Sequence, residues 1–317
     1  MPTLIVNQGA IGDLLLSLPA MRLIRKYRGD FTLAGKPENA LFIKAAEECS
    51  SALPSTATAF SELYSGVVHP ILAYFDDIWW FTRRRGLVPT ILMMPDSSKK
   101  AKVVFTVDES PERVHCSRFQ FEMVRKSLGV DDEMKEFLQP LKYVRDKGDN
   151  TMFHMAIHPG SGSRKKNVPL ESYLSIARRL LERLEWLKLV FILGPAEQDI
   201  VQKVEDFALS MEGRAKILFG QDLSVVADCL GRTSLFLGND SGMAHLASWC
   251  GARCVVLFGP TDARLWAPIF DTIVVQSSAN CSPCGERYRD CDKYDCMNAF
   301  DKDGLIELLE RELLSLV

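Results

Sequence analysis

Short runs at residues 155–158, 187–193, 217–219, 235–237 and 254–258, apolar throughout except for Lys188 and the closing His158, alternate with stretches at 170–184, 200–208, 223–230 and 243–250, in which apolar residues recur at helical spacing. A run that is apolar on every residue suits a strand buried on both faces. Strands that alternate with helices build a parallel sheet covered on both sides. The second half of the chain is therefore expected to be a doubly wound α/β domain. The first half opens in the same way. Leu4, Ile5 and Val6 form a short apolar run, the loop Asn7-Gln8-Gly9-Ala10-Ile11-Gly12-Asp13 follows, and Leu14, Leu15, Leu18, Met21 and Ile24 return at helical spacing. Pro19 predicts a kink or a late start in that helix. Further buried runs are expected at 78–81, 90–94 and 103–105, with a helix over 118–128 that stops at Gly129. The polar stretch 146–150 has the composition of a linker, which divides the chain into domains 1–150 and 151–317.

Composition narrows the class of molecule. With 317 residues, 47% hydrophobic and 25% charged, there is material for two cores and too little charge bias for disorder. A net charge of −3 argues against a dedicated nucleic-acid binder. Basic residues cluster at Arg83-Arg84-Arg85, at Lys99-Lys100 with Lys102, and at Arg164-Lys165-Lys166, which suits phosphorylated small molecules or an anionic membrane surface. No apolar run approaches the ~18 residues of a membrane helix, and no basic region precedes the first apolar run, so a cytoplasmic protein is expected.

In a doubly wound sheet, ligands bind beyond the carboxyl ends of the strands. Four such loops follow His158, Leu193, Leu237 and Phe258, and all carry glycine with polar or charged residues. The loop Gly160-Ser161-Gly162-Ser163-Arg164-Lys165-Lys166 offers close backbone approach and positive charge to an anion. It matches neither the P-loop spacing nor G-x-G-x-x-G, so it suggests phosphate without naming a nucleotide and speaks against a dehydrogenase. Gly238-Asn239-Asp240-Ser241-Gly242-Met243-Ala244-His245 takes a strand end into a helix N-terminus, where a diphosphate is favoured; Asp240 and Ser241 also read as N-caps. Glu197 could accept both ribose hydroxyls, or simply be an acid in the first turn of a helix. Asp13 could remove a proton from a sugar hydroxyl, or cap a helix. The spacing Cys281-x2-Cys284-x6-Cys291-x4-Cys296 is compatible with zinc, but the second pair is loose and the segment lacks histidine; reduced thiols are the expected state.

Taken in order, Gly12-Asp13 with Leu18-Pro19-Ala20, His158-Pro159-Gly160-Ser161-Gly162-Ser163 with Lys166 and Pro169, Gly194-Pro195-Ala196-Glu197, Gly238-Asn239-Asp240-Ser241-Gly242 with His245, and Phe258-Gly259-Pro260-Thr261-Asp262 with Trp266-Ala267-Pro268 resemble the heptosyltransferases of lipopolysaccharide core assembly, glycosyltransferase family 9. The resemblance spans most of the chain. It implies a GT-B fold, two Rossmann-like domains whose parallel sheets face an interdomain cleft. An acceptor-binding domain would come first and a nucleotide-sugar-binding domain second, with a last helix near 302–317 packing back on the first. It implies an inverting, metal-independent transfer from ADP-heptose to an inner-core acceptor, without a cofactor, at the inner face of the membrane with peripheral contact. Asp13 would be the general base and Lys166 would neutralise the leaving diphosphate. Ser161, Gly162, Ser163, Ser241, Gly242 and Met243 would hold its oxygens, Glu197 the ribose and Asp240 the donor sugar, with His245 near the phosphates. The chain departs from the family at Gly9-Ala10, where hydroxyl residues are common, and at Val168, where tryptophan is usual. The family's acidic strand motif is not evident near Asp76-Asp77 or Pro95-Asp96. The alternatives are a GT-B enzyme using another nucleotide sugar, an epimerase, or a non-catalytic sugar-nucleotide-binding protein.

Overall fold

The computed structural model describes residues 2–54, 70–83, 101–108, 112–143 and 153–315. They divide into two compact units, Met1–Gln139 and Pro140–Val317. The expected linker at 146–150, the run at 90–94, Pro95-Asp96 and the basic residues Arg84, Arg85, Lys99 and Lys100 lie outside the described residues.

In the N-terminal unit the order is β1 (Thr3–Asn7), α1 (Ile11–Arg28), β2 (Phe31–Gly35), α2 (Pro37–Ala45), β3 (Ser51–Pro54), β4 (Asp77–Thr82), β5 (Ala101–Phe105) and α3 (Cys116–Leu128). The strands form one parallel sheet in the order β3-β2-β1-β4-β5. Every residue of β1 and β4 is buried, as central parallel strands require. Helix α1 starts at Ile11 and carries a buried Pro19 in its interior, so the expected late start does not occur. Helix α3 ends at Gly129, whose φ of 69° is the left-handed conformation that glycine adopts at no steric cost. Asp77 begins β4, at the end of the sheet opposite the ligand-facing one. There it accepts from Trp79 Nε1 at 2.7 Å and pairs with Lys102, a structural use of an acid.

The C-terminal unit continues with β6 (Phe153–His158), α4 (Leu170–Arg183), β7 (Leu189–Leu193), α5 (Val201–Leu209), β8 (Ala215–Phe219), α6 (Leu223–Gly231), β9 (Thr233–Asn239), α7 (Gly242–Trp249), β10 (Arg253–Phe258), α8 (Ala263–Trp266), β11 (Thr272–Gln276) and α9 (Lys302–Leu314). Its parallel sheet runs β11-β10-β9-β6-β7-β8. The expectation put the last helix on the N-terminal domain. Its apolar face, Leu305, Ile306, Leu309 and Leu313, is instead built into the core of the C-terminal unit with Tyr173, Ile176 and Leu180 of α4. Each fully buried Leu or Ile contributes about 2 kcal/mol, enough to fix the helix there. The exposed pair Arg183–Glu310 at 2.6 Å adds little. Among the described residues no helix is long and apolar enough to cross a membrane.

Both sheets share one topological property. The chain builds outward from the first strand to one side, then returns to its other side, so the loops after the two central strands diverge. In the N-terminal unit this switch point lies between β1 and β4, where Asn7 pairs in register with Phe81. In the C-terminal unit it lies between β6 and β9, where His158 pairs with Gly238. Crevices open at such points, beyond the carboxyl ends of the strands.

Candidate active site

The first switch point holds Asp13. The loop from β1 to α1 is pinned from inside. Asn7 Nδ2 donates to Ser17 Oγ at 3.1 Å, Gly9 N donates to Asn7 Oδ1 at 3.0 Å, and Asn39 Nδ2 donates to Gly9 O at 3.1 Å. Asp13 stands in the first turn of α1, and its Oδ2 accepts from Ala10 N at 3.1 Å. The capping role is thus real, but it engages only one carboxylate oxygen. The other, Oδ1, accepts from Arg83 Nη2 at 3.1 Å. Arg83 follows β4, so this ion pair bridges the switch point. The two residues line a cavity of about 260 Å³ with Asn7, Trp80, Thr82 and Thr106. Arg83 was noted in the sequence as part of a basic cluster; its pairing with Asp13 was not foreseen, because only the β1–β4 pairing brings the two together.

The second switch point is more tightly built, and Asn239 is its centre. This fully buried residue ends β9. Its Nδ2 donates to Pro159 O at 2.7 Å and lies 3.3 Å from Gly160 O, while its Oδ1 accepts from Val168 N at 3.1 Å and Tyr173 OH at 2.8 Å. One amide therefore ties the end of β9 to both ends of the loop after β6. Asp240 follows. Its Oδ2 accepts from Lys166 Nζ at 2.9 Å and from Thr261 Oγ1 at 2.7 Å, and its backbone oxygen also accepts from Lys166 Nζ at 2.9 Å. The expected anion-binding lysine is thereby held at the crevice, with its side chain 16% exposed. Lys165 points elsewhere: its Nζ donates to Cys291 O at 3.1 Å and lies over the Tyr294 ring.

Ser241 precedes α7 but does not cap it through its side chain. Its Oγ is buried with no hydrogen-bond partner, so the capping reading fails for this residue. Uncapped amides at a helix N-terminus beside an unpaired hydroxyl and a lysine suit an oxyanion. His245 lies buried in the first turn of the same helix. On the other side of β6, Ser161, Gly162, Ser163 and Glu197 line a cavity of about 350 Å³. Glu197 is 6% exposed, and its Oε2 accepts from Gly194 N at 2.8 Å. A Cβ on Gly160 would fall 2.0 Å from Glu197 Oε1, so glycine is what lets this carboxylate enter the loop. His158 Nδ1 lies 2.8 Å from Ile192 O. A carbonyl only accepts, so Nδ1 carries the proton. Burial lowers the His158 pKa and keeps the ring neutral.

Cys281, Cys284, Cys291 and Cys296 line a separate cavity of about 570 Å³. Among the described residues no three His, Cys, Asp or Glu side chains are grouped to hold a metal ion.

Two Rossmann-like sheets, one presenting a carboxylate–guanidinium pair and the other an anion crevice flanked by a buried glutamate, define a GT-B type glycosyltransferase. Residues 99–295 match the family model of glycosyltransferase family 9 (heptosyltransferase), and the chain belongs to that family. It is 19% identical over 311 residues to lipooligosaccharide heptosyltransferase 2 of Campylobacter jejuni, covering 95% of this chain and 96% of that protein. Its fold is similar to a family 9 glycosyltransferase of Veillonella parvula, at a TM-score of 0.77 and 19% identity over 99% of this chain and 97% of the other. It is also similar to the ADP-heptose lipopolysaccharide heptosyltransferase II of E. coli, at 0.74 and 15% over 99% of both chains.

Proposed function

We propose that this enzyme transfers heptose from ADP-heptose to a hydroxyl of a lipopolysaccharide inner-core acceptor, with inversion at the anomeric carbon and without a metal. One observation carries the reading: the buried, unpartnered Ser241 Oγ at the free N-terminus of α7, beside the switch point where Lys166 is held. A departing diphosphate needs compensation for its developing charge, and oriented amides plus an ammonium group supply it. Ser161, Gly162 and Ser163 complete the diphosphate contacts, Glu197 takes the ribose hydroxyls, Asp240 orients Lys166 and the donor sugar, and His245 stands behind the phosphates.

In the proposed step the Asp13 carboxylate accepts the proton of the acceptor hydroxyl. The hydroxyl oxygen forms a bond to the anomeric carbon from the face opposite the diphosphate. The bond from that carbon to the phosphate oxygen breaks, and its electron pair leaves with ADP. The sugar chemistry is supported by the relatives, whose names carry heptosyl transfer and ADP-heptose. A lipid-anchored acceptor and a nucleotide-sugar donor place the work at the inner face of the cytoplasmic membrane, reached by peripheral contact. The test is Asp13→Asn, assayed by mass spectrometry of core-fragment acceptors with ADP-heptose and by calorimetric titration with ADP. ADP affinity is expected to be unchanged and turnover to fall ~10²-fold or more. Near-normal turnover removes the base assignment.

A further inference from the structure

In the loop after β6 one hydroxyl is already committed. Ser161 Oγ has a single proton and two acceptors within reach, Asn167 Oδ1 at 2.6 Å and Ser163 O at 2.7 Å. Ser163 O already accepts from Lys166 N at 2.9 Å, so the proton goes to the shorter contact, Asn167 Oδ1. Ser163 N donates to the same hydroxyl oxygen at 3.3 Å. The side chain of Ser161 therefore closes the loop on itself, and what this residue offers a ligand comes from its backbone. The Asn167 amide is fixed at its oxygen end alone. Its Nδ2 carries two N–H groups and donates to none of the described residues. Asn167 is half-buried and lines the cavity of about 350 Å³ with Ser161 and Glu197. The Glu197 side chain accepts from Gly194 N on Oε2, and no described residue donates to its Oε1. One cavity thus presents an open acceptor, the carboxylate oxygen, and an open donor, the amide nitrogen. A phosphate oxygen accepts but is repelled by the carboxylate, and Lys166 is turned away to Asp240. A hydroxyl both donates and accepts, so a vicinal diol matches the pair.

We propose that Asn167 is a binding residue for the ribose of the nucleotide: its Nδ2 donates to the oxygen of one ribose hydroxyl while Glu197 accepts from the diol, and Ser161 is the positioning residue that holds the amide in this orientation. A nucleotide that lacks one hydroxyl leaves a buried polar group of the site without its partner, so the pair makes the site select an intact diol. The inference rests on the reading of this unit as the ADP site and adds the residue that completes its ribose contacts. All three side chains lie within the C-terminal unit.

The experiment is calorimetric titration of the full chain with ADP, 2′-deoxy-ADP and 3′-deoxy-ADP. It compares wild type with Asn167→Ala, Asn167→Asp, Ser161→Ala and the double variant Ser161→Ala/Asn167→Ala. Asn167→Ala is expected to bind ADP about fivefold more weakly, the loss of one hydrogen bond. The wild-type preference for ADP over one of the two deoxy nucleotides should shrink by about the same factor, and the preference over the other should persist through Glu197. Asn167→Asp keeps the contact with Ser161 but puts an oxygen where the donor was, so it should bind ADP at least as weakly as Asn167→Ala. Ser161→Ala should weaken ADP binding about twofold and add nothing in the Asn167→Ala background, because it acts through that amide. Unchanged ADP affinity in Asn167→Ala, wild-type affinity in Asn167→Asp, or an equal weakening for ADP and both deoxy nucleotides overturns the proposal. Additive losses in the double variant overturn the positioning role of Ser161. Gly160→Ala separates the inference from the reading beneath it. If it weakens ADP binding and Asn167→Ala does not, only the role of Asn167 falls; if wild type binds no ADP, the ADP site falls and takes Asn167 with it.

Discussion

Replacing Asn239 by alanine should damage the C-terminal unit far more than its size suggests, and the cost can be worked from its partners. The amide is fully buried and serves Val168 N, Tyr173 OH and Pro159 O. Its loss leaves two donors and one acceptor without partners. A buried polar group left unsatisfied costs about 1–3 kcal/mol, so the substitution should destabilise by about 3–5 kcal/mol once some relaxation is allowed. For a unit of this size each kcal/mol shifts the melting temperature by about 2–4 °C, giving a drop of about 10 °C. Tyr173→Phe is the control. It removes one donor and leaves Asn239 Oδ1 still accepting from Val168 N, so it should cost about 1 kcal/mol, or about 3 °C. Burial pushes the Tyr173 phenol well above its usual range, so it remains a donor at any working pH. Thermal unfolding of the full chain, followed by calorimetry, measures both. Equal shifts for the two variants, or a shift of only a degree or two for Asn239→Ala, would refute the view that this amide is what joins β9 to the loop after β6.

Gly160→Ala introduces a methyl group 2.0 Å from Glu197 Oε1 and 2.4 Å from its carboxyl carbon. The carboxylate must withdraw and Gly194 N loses its partner, so ADP affinity in calorimetric titration should fall about tenfold or more while the fold persists; unchanged affinity would remove Glu197 from the donor site. His158 yields a pH prediction with a fixed sign. Its folded pKa is lowered by burial, so below about 6.5 the unfolded chain binds the extra proton, and stability present above that pH is lost as pH falls. Between pH 7 and 5.5 wild type should lose about 1 kcal/mol more than His158→Gln in urea unfolding; parallel losses would mean that the ring is protonated when folded.

The C-terminal unit was legible because its central strands are buried on both faces. β7, and β10 beyond its first residue Arg253, are therefore unbroken apolar runs, and the glycine-bearing loops at their ends mark where the sheet opens. Edge positions were harder. β3 reads Ser-Ala-Leu-Pro, half-exposed and ending in proline, and β11 is partly exposed throughout, so neither presents the signal of a buried strand. β2 was missed because its five residues include a threonine and a glycine and fall between two helices. At the site, spacing nominated Asp13, Lys166, Glu197 and Ser241 but could not apportion roles. In Gly238-Asn239-Asp240 the sequence gives no sign that Asn239 is wholly scaffold while Asp240 holds the lysine. That depends on which carbonyls the fold brings within 3 Å. The closing helix shows the same limit: its apolar face was plain, but amphipathicity does not say which core receives it.

The two switch points differ in how firmly they are built. The crevice of the C-terminal unit is rigid: Asn239 engages on both of its amide atoms, Asp240 fixes Lys166, and Gly194 fixes Glu197, all at low exposure, as a site for an unvarying ligand such as the diphosphate proposed above would require. Preorganised groups of this kind stabilise leaving-group charge without having to reorganise during the reaction. In the N-terminal unit the loop backbone is pinned by Asn7 and Asn39, and the outer oxygen of the half-buried Asp13 accepts from Arg83. Arg83 lines the N-terminal cavity and Lys166 the C-terminal crevice, so if the diphosphate binds at Lys166, Arg83→Gln should leave ADP affinity in calorimetric titration unchanged while Lys166→Ala lowers it about tenfold or more; equal effects would refute that division.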